Sequence, residues 1–154
     1  MKSRLFNTPF EMGLRMILLL SASPKNAFSV DRIVGLDFIT SYAADFNLPY
    51  GNLHGDNHLK YGEIVSRRLL VQEAVKDLVT RGVLNVTVNR GYIFSISESG
   101  MKYARTLKSE YAKTYKEIAK EVIKRYEDDS DAGILATIQS YSIQSLERID
   151  LCIT

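Results

Sequence analysis

The chain has 154 residues, 45% of them hydrophobic and 25% charged, with a formal net charge of +2. That composition excludes a disordered tail, and the length is sufficient to bury a self-supporting core without a metal or a disulfide framework. A single cysteine excludes an internal bridge and leads us to expect a reducing cytoplasm. The apolar run Met16–Leu20 is far short of the roughly 20 residues that cross a bilayer, and Glu11 ahead of it argues against a secretory signal, so no membrane association is expected.

Helix signals come first along the chain. Thr8-Pro9-Phe10-Glu11 reads as a capping box with proline at the first helical position, opening a helix that runs to about Ser21. Met12, Met16, Leu19 and Leu20 recur at helical spacing, and Pro24 ends the element. Ser29 is the next N-cap, for a second helix ending near Asp45. From Phe46 to Gly62 the chain is rich in Asn, Asp, Gly and Pro and has no periodicity, which predicts a long loop suited to contact. Glu63–Arg81 is helical, with Gly82 placed to end it.

A strand, the turn Asn89-Arg90-Gly91 and a second strand follow, with Leu84, Val86, Ile93 and Ile96 expected to face the helices. Ser97 caps the next helix, which the periodicity of Leu107, Tyr111, Tyr115, Ile118, Val122 and Tyr126 extends unbroken to Tyr126. At 1.5 Å per residue that helix would reach about 40 Å, so part of its apolar face is expected to meet a C-terminal helix or another chain. An acidic turn at Glu127–Asp131 precedes a final helix from Ala132 to about Leu151.

The fold class that follows is mainly α with a small β-hairpin: a winged-helix-like domain over residues 1–100, then a long helix and a C-terminal helix over 101–154 that pack on it or on a partner. A winged helix suggests DNA, but the outer face of the third helix mixes Arg67, Arg68, Lys76 and Arg81 with Glu73 and Asp77, and the wing tip offers only Arg90. Lys113, Lys116, Lys120 and Lys124 form a ridge on the long helix and are the better electrostatic candidates for nucleic acid or an acidic partner, against the plainer reading of a solvated face.

His54, Asp56 and His58 fall within five loop residues and admit a metal reading, although too few ligands lie together to close a coordination sphere. The alternative is a loop braced by its own hydrogen bonds, and we expect no cofactor. No nucleophile elbow, paired base or phosphate-cradling glycine loop is present in the sequence, so the chain is not expected to be an enzyme. Asp37 interrupts an apolar helix and requires a cation, with Arg15, Arg32 and Arg67 as candidates for a buried pair that fixes helix register.

Arg4-Leu5-Phe6-Asn7-Thr8-Pro9-Phe10-Glu11, Gly13-Leu14-Arg15, Leu36-Asp37, the loop His54-Gly55-Asp56-Asn57, Tyr61-Gly62-Glu63, Arg67-Arg68 and Arg81-Gly82 together resemble the middle component of ABC three-component systems, the Lamassu-type anti-phage defence operons. The resemblance covers about Arg4 to Tyr126. It implies a small non-catalytic subunit that bridges an SMC-like coiled-coil ATPase and an effector, often a nuclease, holding the effector in check. It further implies partner contact or fold integrity for Phe6, Asn7, Phe10, Arg15, His54, Asp56, Asn57, His58 and Tyr61. Tyr111 and Tyr115, on the amphipathic helix, join them as expected partner contacts, and DNA is reached, if at all, through the complex. A winged-helix DNA-binding regulator is the alternative.

Overall fold

The computed structural model describes residues 8–55 and 60–153, with side chains as far as Gln144. The protein is mainly helical, with one two-stranded antiparallel hairpin. Helix α1 (Pro9–Ser21) is capped by Thr8, whose hydroxyl accepts the Glu11 N–H at 3.2 Å. Helix α2 (Val30–Ser41) is capped by Ser29, which accepts from Arg32 N–H. It ends earlier than expected, at Ser41. Tyr42 leaves the helical region at φ −125°, and a 3-10 turn (Ala43–Phe46) carries the chain to left-handed Asn47.

A second 3-10 turn (Lys60–Glu63) leads into α3 (Ile64–Thr80). Gly82, at φ 75°, turns the chain from helix to strand, a conformation that favours glycine. Strands β1 (Leu84–Val88) and β2 (Tyr92–Ile96) pair with Leu84 opposite Ile96, Val86 opposite Phe94 and Val88 opposite Tyr92. Phe94 also exchanges both backbone hydrogen bonds with Phe28, so the connection between α1 and α2 adds a one-residue third strand to the hairpin.

This register corrects the expected inner face. Ile93 and Ile96 are three apart and so lie on opposite faces of a strand; Leu84, Phe94 and Ile96 are the buried set. Val86 shares their face but lies further out along the hairpin and is exposed.

The helical stretch after the hairpin is divided. Helix α4 (Glu98–Thr106) stops where Leu107 becomes extended, and α5 (Glu110–Arg125) starts afresh at Ser109, whose hydroxyl accepts from Ala112 N–H. A serine followed by a glutamate in the first turn is a start signal that overrides the continuing apolar period. The divided arrangement brings α5 against α1 and α2, with Tyr115, Ile118, Ala119 and Val122 in the core.

Helix α6 (Asp131–Ile153) packs on α2. Arg32 fixes the turn ahead of it, donating to the carbonyls of Tyr126 and Asp129 and to Asp131, which also accepts from Ser29. The acidic turn is thus an anchor for the last helix. One continuous apolar cluster runs from Met12 in α1 to Ile138 in α6. No helix among the described residues is long and apolar enough to cross a membrane.

Two glycines mark close approaches. At Gly35 a Cβ would lie 2.6 Å from Ile134 Cγ2, which is how closely α6 approaches α2. At Gly100 it would lie 2.2 Å from the carbonyl oxygen of Val83, a backbone atom tied down by Ser97, whose hydroxyl donates to it. Gly100→Ala should therefore destabilise the fold by about 1–3 kcal/mol as α4 is forced off the hairpin base, measured by urea unfolding. Unchanged stability would show that this contact relaxes freely.

Candidate functional site

The centre of the molecule holds a charged network. Asp37 of α2 is fully buried, as are Arg15 of α1, Arg67 of α3 and Tyr115 of α5. Arg15 grips the carboxylate with two bonds, Nε to Oδ1 at 2.9 Å and Nη2 to Oδ2 at 3.1 Å. Arg67 Nη1 donates to Oδ2 at 2.7 Å, and the Tyr115 hydroxyl donates to Oδ1 at 2.6 Å. One carboxylate therefore ties four helices together.

Two guanidinium groups against one carboxylate leave an excess positive charge in the interior. Arg67 sits over the Phe38 ring at 5.3 Å and the Tyr42 ring at 5.9 Å, whose negative faces offset part of it. Glu63, with Oε2 3.7 Å from Arg67 Nη2, supplies a second negative charge. Burial by itself would push the Asp37 carboxyl up. The attraction of Arg15 and Arg67, and the bonds from Arg15 and Tyr115, outweigh burial and hold it well below the usual carboxylate range. Burial also lifts the Tyr115 and Tyr111 hydroxyls above their ordinary values, and raises Tyr42 to about 12.

The network reaches the long loop through His54. Its Nε2 shares a 2.8 Å hydrogen bond with Tyr111 of α5, and Tyr111 in turn accepts from Arg15. The His54 ring lies edge-on to Tyr42 and stacks on Tyr111, and the His54 backbone N–H donates to Ser41 O. Burial, with help from the Arg15 and Arg67 charges, pushes the imidazole down to about 3. It is neutral at physiological pH, and the arrangement suits a hydroxyl proton of Tyr111 donated to Nε2. Nearby, Lys60 is buried against the rings of Tyr42 and Tyr61 and pairs with Asp45.

The surface is of a different character. Pro9, Phe10, Leu14, Leu78, Val83 and Tyr103 line an apolar groove of about 440 Å³ between α1, α3 and α4, with Phe10 71% exposed on its edge. On the outer face of α3, Val65 and Leu69 are one turn apart and 74% and 59% exposed.

A family model, ABC-three component (ABC-3C) system Middle Component 2, matches residues 5–148. The chain belongs to that family. The match extends past Tyr126, where the motif resemblance stopped, and takes in most of α6. No curated protein and no solved structure matches this Middle Component 2 chain.

The residues singled out from the sequence fall into three groups in the Middle Component 2 structure. Phe10 is exposed, whereas Tyr61 and Tyr111 are half-buried. Arg15 and Tyr115, expected at a partner surface, are inside, and each donates to Asp37. His54 is buried as well, and braces the loop through Tyr111. Phe6, Asn7, Asp56, Asn57 and His58 lie outside the described residues. Among the described residues no group of three or more His, Cys, Asp or Glu is placed to hold a metal ion.

The cations sort differently again. Arg67, grouped with the solvent-facing residues of the third helix, is drawn inward by Asp37 and cannot reach a nucleic acid. Arg68 pairs with Asp31 and Arg81 with Asp77. Arg90 is exposed at the hairpin tip in a left-handed conformation, and Lys113, Lys120 and Lys124 are exposed on α5 with Lys116 half-buried beside them. Sequence reasoning missed Lys60 and Ser109, and offered Arg32 to Asp37 when it anchors the turn before α6. Of the missed pair only Ser109 carried a local signal, the serine ahead of an acidic first turn.

Proposed function

We propose that this chain is a non-catalytic assembly subunit of an ABC-3C defence system, bridging an SMC-like ATPase and an effector nuclease and restraining the effector. The family membership supports an accessory component of a multi-component system. The observation that carries the non-catalytic part is the use made of the polar centre: Arg15, Arg67 and Tyr115 all donate to Asp37, and the four side chains are shielded from solvent. His54, the only histidine among the described residues, is held neutral down to about pH 3 and bonded to Tyr111, which removes it as a general base near neutrality.

The apolar groove beside Phe10 and the exposed pair Val65 and Leu69 are the surfaces that fit a subunit made to be covered. Pairwise size exclusion of the purified chain with each of the other components of its system tests the reading. A shared peak with both supports it, and separate elution from both overturns it.

A winged-helix DNA-binding regulator is the second reading. It is favoured by the helix-hairpin order and by the Phe28–Phe94 bridge that adds a third strand to the wing. The outer face of α3 speaks against it, because Val65 and Leu69 stand where a duplex would need cations, and Arg68 and Arg81 are already paired. A gel-shift salt series separates the two readings: duplex binding that falls steeply as salt rises would favour the regulator.

A further inference from the structure

The solvent side of α5 segregates its charges. Lys113, Lys116, Lys120 and Lys124 recur at three- and four-residue spacing and so share one ridge, which spans about 16 Å at 1.5 Å per residue. Glu117 and Glu121 form the adjoining ridge and face the long loop. There the Tyr50 hydroxyl is pushed up, by slight burial and then by the Glu121 and Glu117 carboxylates. The far side of the lysine ridge meets Arg105 at the end of α4, which acts on Lys116. Lys116 is lowered by partial burial and by the charges of Lys120 and Arg105, so these three cations crowd together.

Three surface arginines elsewhere in the body are matched, Arg32 with Asp131, Arg68 with Asp31 and Arg81 with Asp77, while Arg90 at the hairpin tip stands without an ion pair among the described residues. Among the described residues no carboxylate is within ion-pair reach of Arg105, Lys116, Lys120 or Lys124, and Lys113 has only Glu110 at 4.0 Å. At the α4–α5 corner the unpaired cations are close enough to repel one another, Lys120 and Arg105 both acting on Lys116. Like charges held together lower stability slightly, and an anionic surface laid across them reverses the sign.

We propose that the strip formed by Arg105 and the α5 lysines is the docking site for an acidic segment of a partner subunit. This rests on the assembly reading above. A protein segment fits better than a nucleic acid because the strip is one ridge wide. A phosphate backbone following it would run beside Glu117 and Glu121, whereas carboxylates on one face of a partner helix repeat at the same pitch as the lysines and meet only them.

The test uses the full chain with Lys116→Glu and Lys120→Glu together, and a second variant with the exposed pair Lys113→Glu and Lys124→Glu. Both are checked for unchanged thermal unfolding. Each is assayed against the partner components of its system, a short poly-L-glutamate peptide and a short DNA duplex. The expected result is that the wild type binds poly-glutamate in a salt-sensitive manner and the duplex more weakly, and that reversal weakens partner and peptide binding by about tenfold or more. Equal binding by wild type and folded variants overturns the docking site while leaving the assembly role standing. Tighter binding to the duplex than to the peptide overturns it in favour of nucleic acid. A wild type that binds neither partner component defeats the assembly reading, and the peptide assay on the isolated chain then still decides whether the strip recognises acidic segments.

Discussion

Replacing Asp37 by Asn should cost about 3–5 kcal/mol of unfolding free energy, because it leaves the buried Arg15 without its counter-charge and Arg67 with only the more distant Glu63. A domain of this size is stable by only about 5–15 kcal/mol, so the variant is expected to be largely unfolded or to melt many degrees lower. The amide keeps the shape and one acceptor; what it lacks is the charge that holds both arginines. Removing Arg15 or Arg67 singly should cost less than removing Asp37, since the remaining cation still balances the carboxylate. Urea titrations of Asp37→Asn, Arg15→Met and Arg67→Met read the order directly. A tolerated Asp37→Asn would show that the excess positive charge is solvated and that the network does not hold the helices together.

The second large effect is set by pH. His54 has its ordinary value of 6.5 in the unfolded chain and about 3 in the folded protein, so below pH 6.5 the unfolded state binds a proton that the native state refuses. The stability is fully present above pH 6.5 and is lost as pH falls toward 3, at about 1.4 kcal/mol per pH unit. Asp37 adds little to the slope above pH 5, because its carboxyl is held far below its ordinary value of 3.8 and loses its share only under strongly acidic conditions. Unfolding free energies measured between pH 7 and pH 5 should therefore decline in the wild type and stay nearly level in His54→Gln. Parallel slopes would place the titrating group elsewhere.

The sequence made the helical architecture legible wherever a cap and a period agreed. Thr8, Ser29 and Ser97 each cap as read, and Gly82 and Gly91 turn the chain where turns were needed. Period and local chemistry conflict after the hairpin, and there the local chemistry wins. The apolar spacing of Leu107, Tyr111 and Tyr115 continues across a real boundary, and only the Ser109 cap reveals the break. A two-residue period was likewise needed to see that Phe94, and not Ile93, turns inward.

For the site, a charge in the middle of an apolar helix announced its own need for a partner, and Arg15 and Arg67 were both among the candidates for Asp37. That both bind at once, and that Tyr115 and Tyr111 join them, depends on tertiary packing of α5 that no local pattern encodes. The same packing turned Arg15, Tyr115 and Arg67 from expected surface contacts into interior ones. Arg32, the third candidate, is held at the far end of α2 by the acidic turn before α6.

The central claim is that this small body joins larger neighbours, and the direct measurement is the native mass of the system's components purified together with and without this chain. The account predicts one stoichiometric assembly containing ATPase, effector and this subunit, which separates into its two larger parts when the subunit is omitted. An ATPase and effector that remain associated in its absence, with this chain running free, would contradict it.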